Sequence, residues 1–277
     1  MSPRRFAQRL ERLPFAVPLT AALADYRAKR WLKRNPGRTF ADYYVALNEA
    51  RIDSGRPHPT LGKAGYSSGA KRATKWTTDS FRERGRDQWS VFREHGLEPW
   101  MRTVDYGCGS LRLGQHAIEY LDPQRYCGID PSQHFIDAGL ALLDPAMVAA
   151  KLPWVGGLDD QTIDRIHEWK PQFIFSNAVL QHVPPADLPT YFERLDRMMT
   201  PGCVAIIMFP CATTEKRIKA TSWAYPQAQL ERIAKRVAAD IEVEFAALPK
   251  GRERLSGGGR RLMILRRLDS ATSGVQA

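Results

Sequence analysis

From Thr103 onward the chain alternates short apolar runs with longer amphipathic stretches. The runs cover residues 103–106, 126–129, 152–155, 172–176, 204–209, 241–245 and 261–265. Between most of them lie ten or more residues with apolar positions at helical spacing. Strand and helix in alternation predict a parallel sheet covered by helices on both faces. The last two runs break the rhythm. Only the loop LPKGRERLSGGGRR joins them, so they should pair as an antiparallel hairpin.

The N-terminal third has a different texture. Residues 20–34 predict a helix, with Leu23, Tyr26 or Arg27, Arg30 or Trp31, and Arg34 at helical spacing, ended by Asn35-Pro36-Gly37. Leu23 and Trp31 are the expected buried side of that helix. A second helix is predicted over 39–52, where Phe40, Tyr43, Tyr44 and Leu47 share a face. The stretch SGRPHPTLGKAGYSSGAK that follows is rich in Gly, Pro and Ser and reads as loop. Residues 79–95 then place Phe81, Trp89, Val91 and Phe92 where a helix can cover the sheet. The pattern divides the chain into a mainly helical extension, 1–99, and an α/β domain, 100–277.

Charge sharpens that division. Residues 1–99 hold 20 Lys and Arg against 10 Asp and Glu, whereas the whole chain carries only +11. The extension therefore supplies almost all of the positive field, which attracts anionic lipid, nucleic acid or phosphorylated substrates. No stretch approaches the roughly 20 apolar residues that span a bilayer. The basic N-terminal stretch reads as mature sequence rather than a leader, in a cytoplasmic protein that can lie peripheral to a membrane. Cys108, Cys127, Cys203 and Cys211 form no C-x-x-C pair, and no His clusters beside them, so reduced thiols and no metal site are expected.

The stretch Val104-Asp105-Tyr106-Gly107-Cys108-Gly109-Ser110-Leu111-Arg112-Leu113-Gly114 carries the chemistry. A buried strand passes through a glycine turn into a helix. Gly107 and Gly109 reach backbone angles closed to other residues and let a ligand approach the chain, so alanine at either should enter ligand space. Arg112 stands where a dinucleotide fingerprint needs its third glycine. Gln115 and His116 replace the lysine and hydroxyl of a P-loop, which disfavours ATP or GTP hydrolysis. Asp105 suits a cationic ligand better than a pyrophosphate. Asp130 closes the next run, 25 residues after Asp105, close to the spacing of a carboxylate that receives ribose hydroxyls.

As a series, DYGCGSLRLG, YCGIDPS, FIFSNAVLQHVP and PGCVAIIMF resemble the motifs of class I S-adenosylmethionine-dependent methyltransferases over residues 101–267. The resemblance implies a Rossmann-like, seven-stranded, mostly parallel sheet with a C-terminal antiparallel hairpin, and S-adenosylmethionine as cofactor. It implies that Asp105, Gly107 and Gly109 surround the methionine part, and that Asp130 binds the ribose. By the same resemblance Asp159 lies near the adenine amino group and Asn177 near the methionine amine. Leu111 stands where many members have another glycine.

Methyl transfer needs positioning above all, and an oxygen or nitrogen acceptor can also need a base. His182, after the fourth run, is the candidate; His58 is a second if its loop folds over the cleft. Asn177 lacks a following Pro-Pro-Tyr, which argues against amino-methylating DNA enzymes. Pro210-Cys211 is a weak match to the cysteine nucleophile of cytosine-5 RNA methyltransferases. The favoured acceptor is a small molecule or glycan, with the basic extension as lid, dimer contact or contact to an anionic membrane surface. RNA or protein docking on that extension is the alternative enzyme reading, with nucleic acid the less favoured partner. A binding module without turnover is the non-enzyme one.

Overall fold

The computed structural model describes residues 16–54, 78–249 and 259–268. His58 and its loop, and Arg4, Arg5, Arg9 and Arg12, lie outside the described residues. Three helices come first, α1 (Ala16–Arg34), α2 (Phe40–Asp53) and α3 (Thr78–Arg93). Then follow β1 (Thr103–Tyr106), α4 (Gly114–Tyr120), β2 (Tyr126–Asp130), α5 (Gln133–Leu140) and α6 (Pro145–Lys151). After them come β3 (Trp154–Gly157), α7 (Asp160–Trp169), β4 (Phe173–Asn177) and α8 (Leu188–Met198). The chain continues through β5 (Val204–Pro210), β6 (Lys216–Lys219), β7 (Ser222–Ala224), α9 (Gln227–Val237), β8 (Ile241–Ala247) and β9 (Arg260–Arg267). All seven apolar runs are strands. β3 starts two residues later than the pattern suggests, because Leu152 closes α6 in a left-handed conformation with φ 48°.

The seven strands form one sheet in the order β3-β2-β1-β4-β5-β9-β8. β1 pairs in parallel with both β2 and β4, so the winding direction reverses between them. Such a reversal opens a crevice beyond the C-terminal ends of the two strands. β9 runs antiparallel to both β5 and β8, and β8 and β9 follow one another without a crossover helix, as expected for an antiparallel pair. Alternate residues serve the two faces. Val104, Tyr106, Ile174, Ala205 and Ile207 pack with Ile163, Ile166, Leu195 and Leu230 of α7, α8 and α9. Phe173, Phe175, Ile206 and Met208 pack with Trp89, Phe92, Ile118 and Ile136 of α3, α4 and α5. The core thus reaches back beyond residue 100, through α3.

The N-terminal helices depart from the expected face. In α1 the buried stripe is Ala21, Ala24 and Ala28, while Leu23 is 48% exposed. Alanine lets the helix approach its neighbours closely, and that contact fixes its rotation. Trp31 is half-buried against Tyr43 of α2, with ring centroids 5.9 Å apart. α2 starts with a capping box: Thr39 Oγ1 accepts from the Asp42 N–H at 3.3 Å and Asp42 Oδ2 from the Thr39 N–H at 2.7 Å. No helix among the described residues is long and apolar enough to cross a membrane.

Candidate active site

The glycine turn hangs from β2. The N–H groups of Gly107 and Cys108 both donate to the Ile129 carbonyl, at 2.8 and 3.0 Å. Gly107 and Gly109 have φ of +86° and +52°. Their surroundings differ. A Cβ at Gly107 would lie 2.2 Å from Val179 Cγ2, whereas one at Gly109 would meet only Asp130 Oδ2, at 3.9 Å. Gly107 is therefore required by the protein itself, against the expectation that its side chain would enter ligand space; Gly109 faces the open cleft. Leu111 takes the left-handed conformation, φ 56°, that a glycine would adopt freely. That costs roughly 1–2 kcal/mol. Full burial of the leucine side chain, worth about 1.5–3 kcal/mol, offsets it.

Asp105 lies beneath this turn rather than in it. Its carboxylate accepts the Tyr126 hydroxyl at 3.0 Å, and Gly128, opposite in register, leaves room for that ring. Burial pushes Asp105 up to about 8, with the Tyr126 hydrogen bond pulling the other way and Asp130 adding to the rise. Asp130 holds the rim: Oδ2 accepts from the Gly109 N–H and Oδ1 from the Ser132 N–H, each at 2.9 Å. Desolvation raises Asp130 to about 6, opposed by those two N–H groups and reinforced by Glu49. Asp159 is exposed and caps α7, accepting the Thr162 N–H on Oδ1 at 2.7 Å.

Asn177 ends β4 across the crevice. Its Nδ2 donates to Gln88 Oε1 of α3 at 3.3 Å, while its Oδ1 is buried with no hydrogen-bond partner among the described residues. The next residue, Ala178, is held at φ 62°. His182 follows, and both its ring nitrogens are engaged. Nδ1 faces the Thr221 carbonyl at 2.9 Å and Nε2 faces Gln181 Nε2 at 2.9 Å. Nδ1 must carry the proton, since its partner is an acceptor, which leaves Nε2 to accept from the Gln181 amide. Desolvation pushes His182 down to about 4, with Lys219 and Arg260 reinforcing the fall, so the ring is neutral near pH 7. Cys211, beyond β5, has its thiol pushed up by burial and offers no ready thiolate.

The extension was expected as a lid, but the contacts by which α2 reaches the crevice are visible only in the structure. Tyr44 of α2 stacks on His182, centroids 4.7 Å apart and planes 21° apart. One turn further along, Glu49 Oε1 accepts the Ser132 hydroxyl at 2.8 Å. Phe40, at the start of α2, packs edge-on against Trp223 of β7. α1 is tied to the same hairpin by Arg217, whose Nη1 donates to Asp25 at 2.6 Å. One helix therefore spans the crevice from the Asp130 end to the His182 end. The shared aromatic face of α2 was visible in the sequence; its target, His182, far along the chain, was not.

An open-sheet crevice with a glycine turn, a rim carboxylate and an unsatisfied acceptor at the strand reversal defines a site for a nucleoside-bearing cofactor. The chain belongs to the methyltransferase family: the family model described as methyltransferase domain matches residues 70–248. Solved structures with this fold include magnesium protoporphyrin IX methyltransferase from Synechocystis PCC 6803 with bound S-adenosylmethionine. It is 12% identical with a TM-score of 0.52, over 84% of this chain and 99% of that one. The same enzyme with S-adenosylhomocysteine gives 12% and 0.52, over 82% and 97%. An S-adenosylmethionine-dependent methyltransferase from Mesorhizobium loti is 14% identical with a TM-score of 0.47, over 65% and 98%. None of the curated proteins matches the sequence. S-adenosylmethionine is accordingly the cofactor.

Proposed function

We propose that this enzyme methylates a small molecule or a glycan residue held beneath α2. The stack of Tyr44 on His182, continued by Glu49 on Ser132, carries the reading. A helix across the whole crevice favours an enclosed acceptor over a polymer, which needs an open groove. The cofactor supplies a methyl group on a sulfonium. Asp130, with one N–H on each oxygen, keeps lone pairs for two ribose hydroxyls. Gly109 admits the cofactor close to the backbone. Asn177 Oδ1 accepts from the methionine ammonium, and Asp159 Oδ2, unused by the cap, from the adenine amino group. Asp105 and Gly107 act through the turn: the acid braces it from below and the glycine shapes it. Positioning of this kind is worth up to about 7–11 kcal/mol.

His182 takes a proton only where a substrate hydroxyl or amine displaces Gln181 from Nε2. So weak a base makes a small contribution, and His182→Asn should lower turnover less than about 100-fold, the low end for general bases. The acceptor class is tested with methyl-labelled S-adenosylmethionine and cell extract separated by mass. Label in the low-mass or glycan fraction is expected; label confined to RNA or protein would overturn the reading.

α1 supports a contact with an anionic lipid surface. Leu23 and Tyr26 are 48% and 61% exposed, on one face with the exposed Arg27 and Arg30.

A further inference from the structure

Arg260 is the first residue of β9, and because that strand is antiparallel it lands opposite Pro210, at the ligand edge of the sheet. Its Nη2 donates to Gln181 Oε1 at 3.3 Å, and its Nη1 lies 4.0 Å from Met208 Sδ. Both partners are neutral. Met208 is the register partner of Asn177, and Gln181 is the residue that faces His182 Nε2. The guanidinium therefore borders the acceptor side of the crevice. Among the described residues no carboxylate pairs with it. The other half-buried arginines of β6 and β9 are treated differently. Arg217 pairs with Asp25, Arg266 with Glu244, and Arg267 with Asp196 and Asp240. Burial pulls the Arg260 guanidinium down, and Lys219 adds positive potential at His182 from the exposed end of β6.

A half-buried guanidinium with only neutral partners gives up hydration without an ion pair in return. Its planar fork matches a carboxylate or a phosphate. We propose that the methyl acceptor carries an anionic group, a carboxylate or phosphate, which binds Arg260 with Lys219 at the rim. This rests on the reading of the crevice as a small-acceptor site and narrows it. The anion displaces Gln181 Oε1 from the guanidinium or shares it, which brings the rest of the acceptor against the neutral imidazole of His182.

The test is calorimetric titration with inorganic phosphate and, separately, acetate, without S-adenosylhomocysteine and at its saturation. Wild type should bind at least one anion, and whichever binds tighter identifies the group. Arg260→Gln should weaken that binding about tenfold or more while S-adenosylhomocysteine affinity stays within about twofold, and Lys219→Gln should weaken it less. Arg260→Gln should also leave the melting temperature unchanged or higher, since it removes an unpaired buried cation, whereas Arg267→Gln should lower it. Anion binding unchanged in Arg260→Gln, no anion binding by wild type, or a lower melting temperature in Arg260→Gln would overturn the proposal. A wild type that took up no S-adenosylhomocysteine would count against the cofactor site instead, while the titration without it still decided on Arg260.

Discussion

Gly107 and Gly109 lie one residue apart yet should answer alanine differently. Gly107→Ala combines a positive φ with a collision at Val179 and should cost about 2–5 kcal/mol of stability, read by chemical denaturation. Gly109→Ala meets open space, so stability should fall by only about 1–2 kcal/mol while cofactor affinity drops about tenfold or more. Equal destabilisation by both would contradict the assignment of Gly109 to the ligand side. Asp130 adds a pH signature. Burial lifts its folded value to about 6, above the ordinary 3.8 of an aspartate, so the ligand-free fold binds an extra proton between the two. The ionised carboxylate thus costs the ligand-free fold stability above pH 6, and the cost is gone below about pH 4. Cofactor binding runs the opposite way, because hydroxyl donors need the ionised form. Affinity should be level above pH 6 and fall by up to about tenfold per unit below it. Asp130→Asn should remove that pH dependence; an unaltered profile would assign it to another group.

At the scale of elements, the central strands β1, β2, β4 and β5 were legible because residues buried on both faces read as short apolar runs. The rotation of α1 was not, since Ala21, Ala24 and Ala28 carry its packing and a hydrophobic pattern weights Leu23 and Trp31 more heavily. The hairpin β6–β7 was hidden as well: KRIK is charged and half-exposed, and SWA is only three residues long. The exposed Leu23 and Tyr26 beside Arg27 and Arg30 predict salt-sensitive binding of α1 to vesicles of anionic lipid. Leu23→Glu with Tyr26→Glu should abolish it and leave cofactor affinity intact. Point changes are the sounder test, because deleting residues 1–38 would also remove the Asp25–Arg217 and Trp31–Tyr43 contacts. Vesicle binding unaffected by the double change would exclude this face, and binding to unstructured RNA but not vesicles would favour a nucleic-acid acceptor.

For the whole molecule, the order of strand and helix foretold the mostly parallel sheet and its antiparallel edge, while the strand order, with its reversal at β1, came from the structure. Asp130 was singled out because it closes an apolar run at a suitable spacing from Asp105, and Asn177 through the motif resemblance. A lid from the extension was expected, but its contact residues and Arg260 were not legible, since Tyr44, Glu49 and Arg260 reach the crevice from segments distant in sequence and outside every local motif. The proposed role of Asp130 is to anchor the cofactor beneath α2. Calorimetric titration of S-adenosylmethionine into wild type and Asp130→Ala at pH 7.5 tests this most directly. Loss of the charged acceptor should cost roughly 1.5–3 kcal/mol, an affinity lower by about 10- to 150-fold, with wild type binding saturably at one site. Equal affinity in the two proteins would contradict the account.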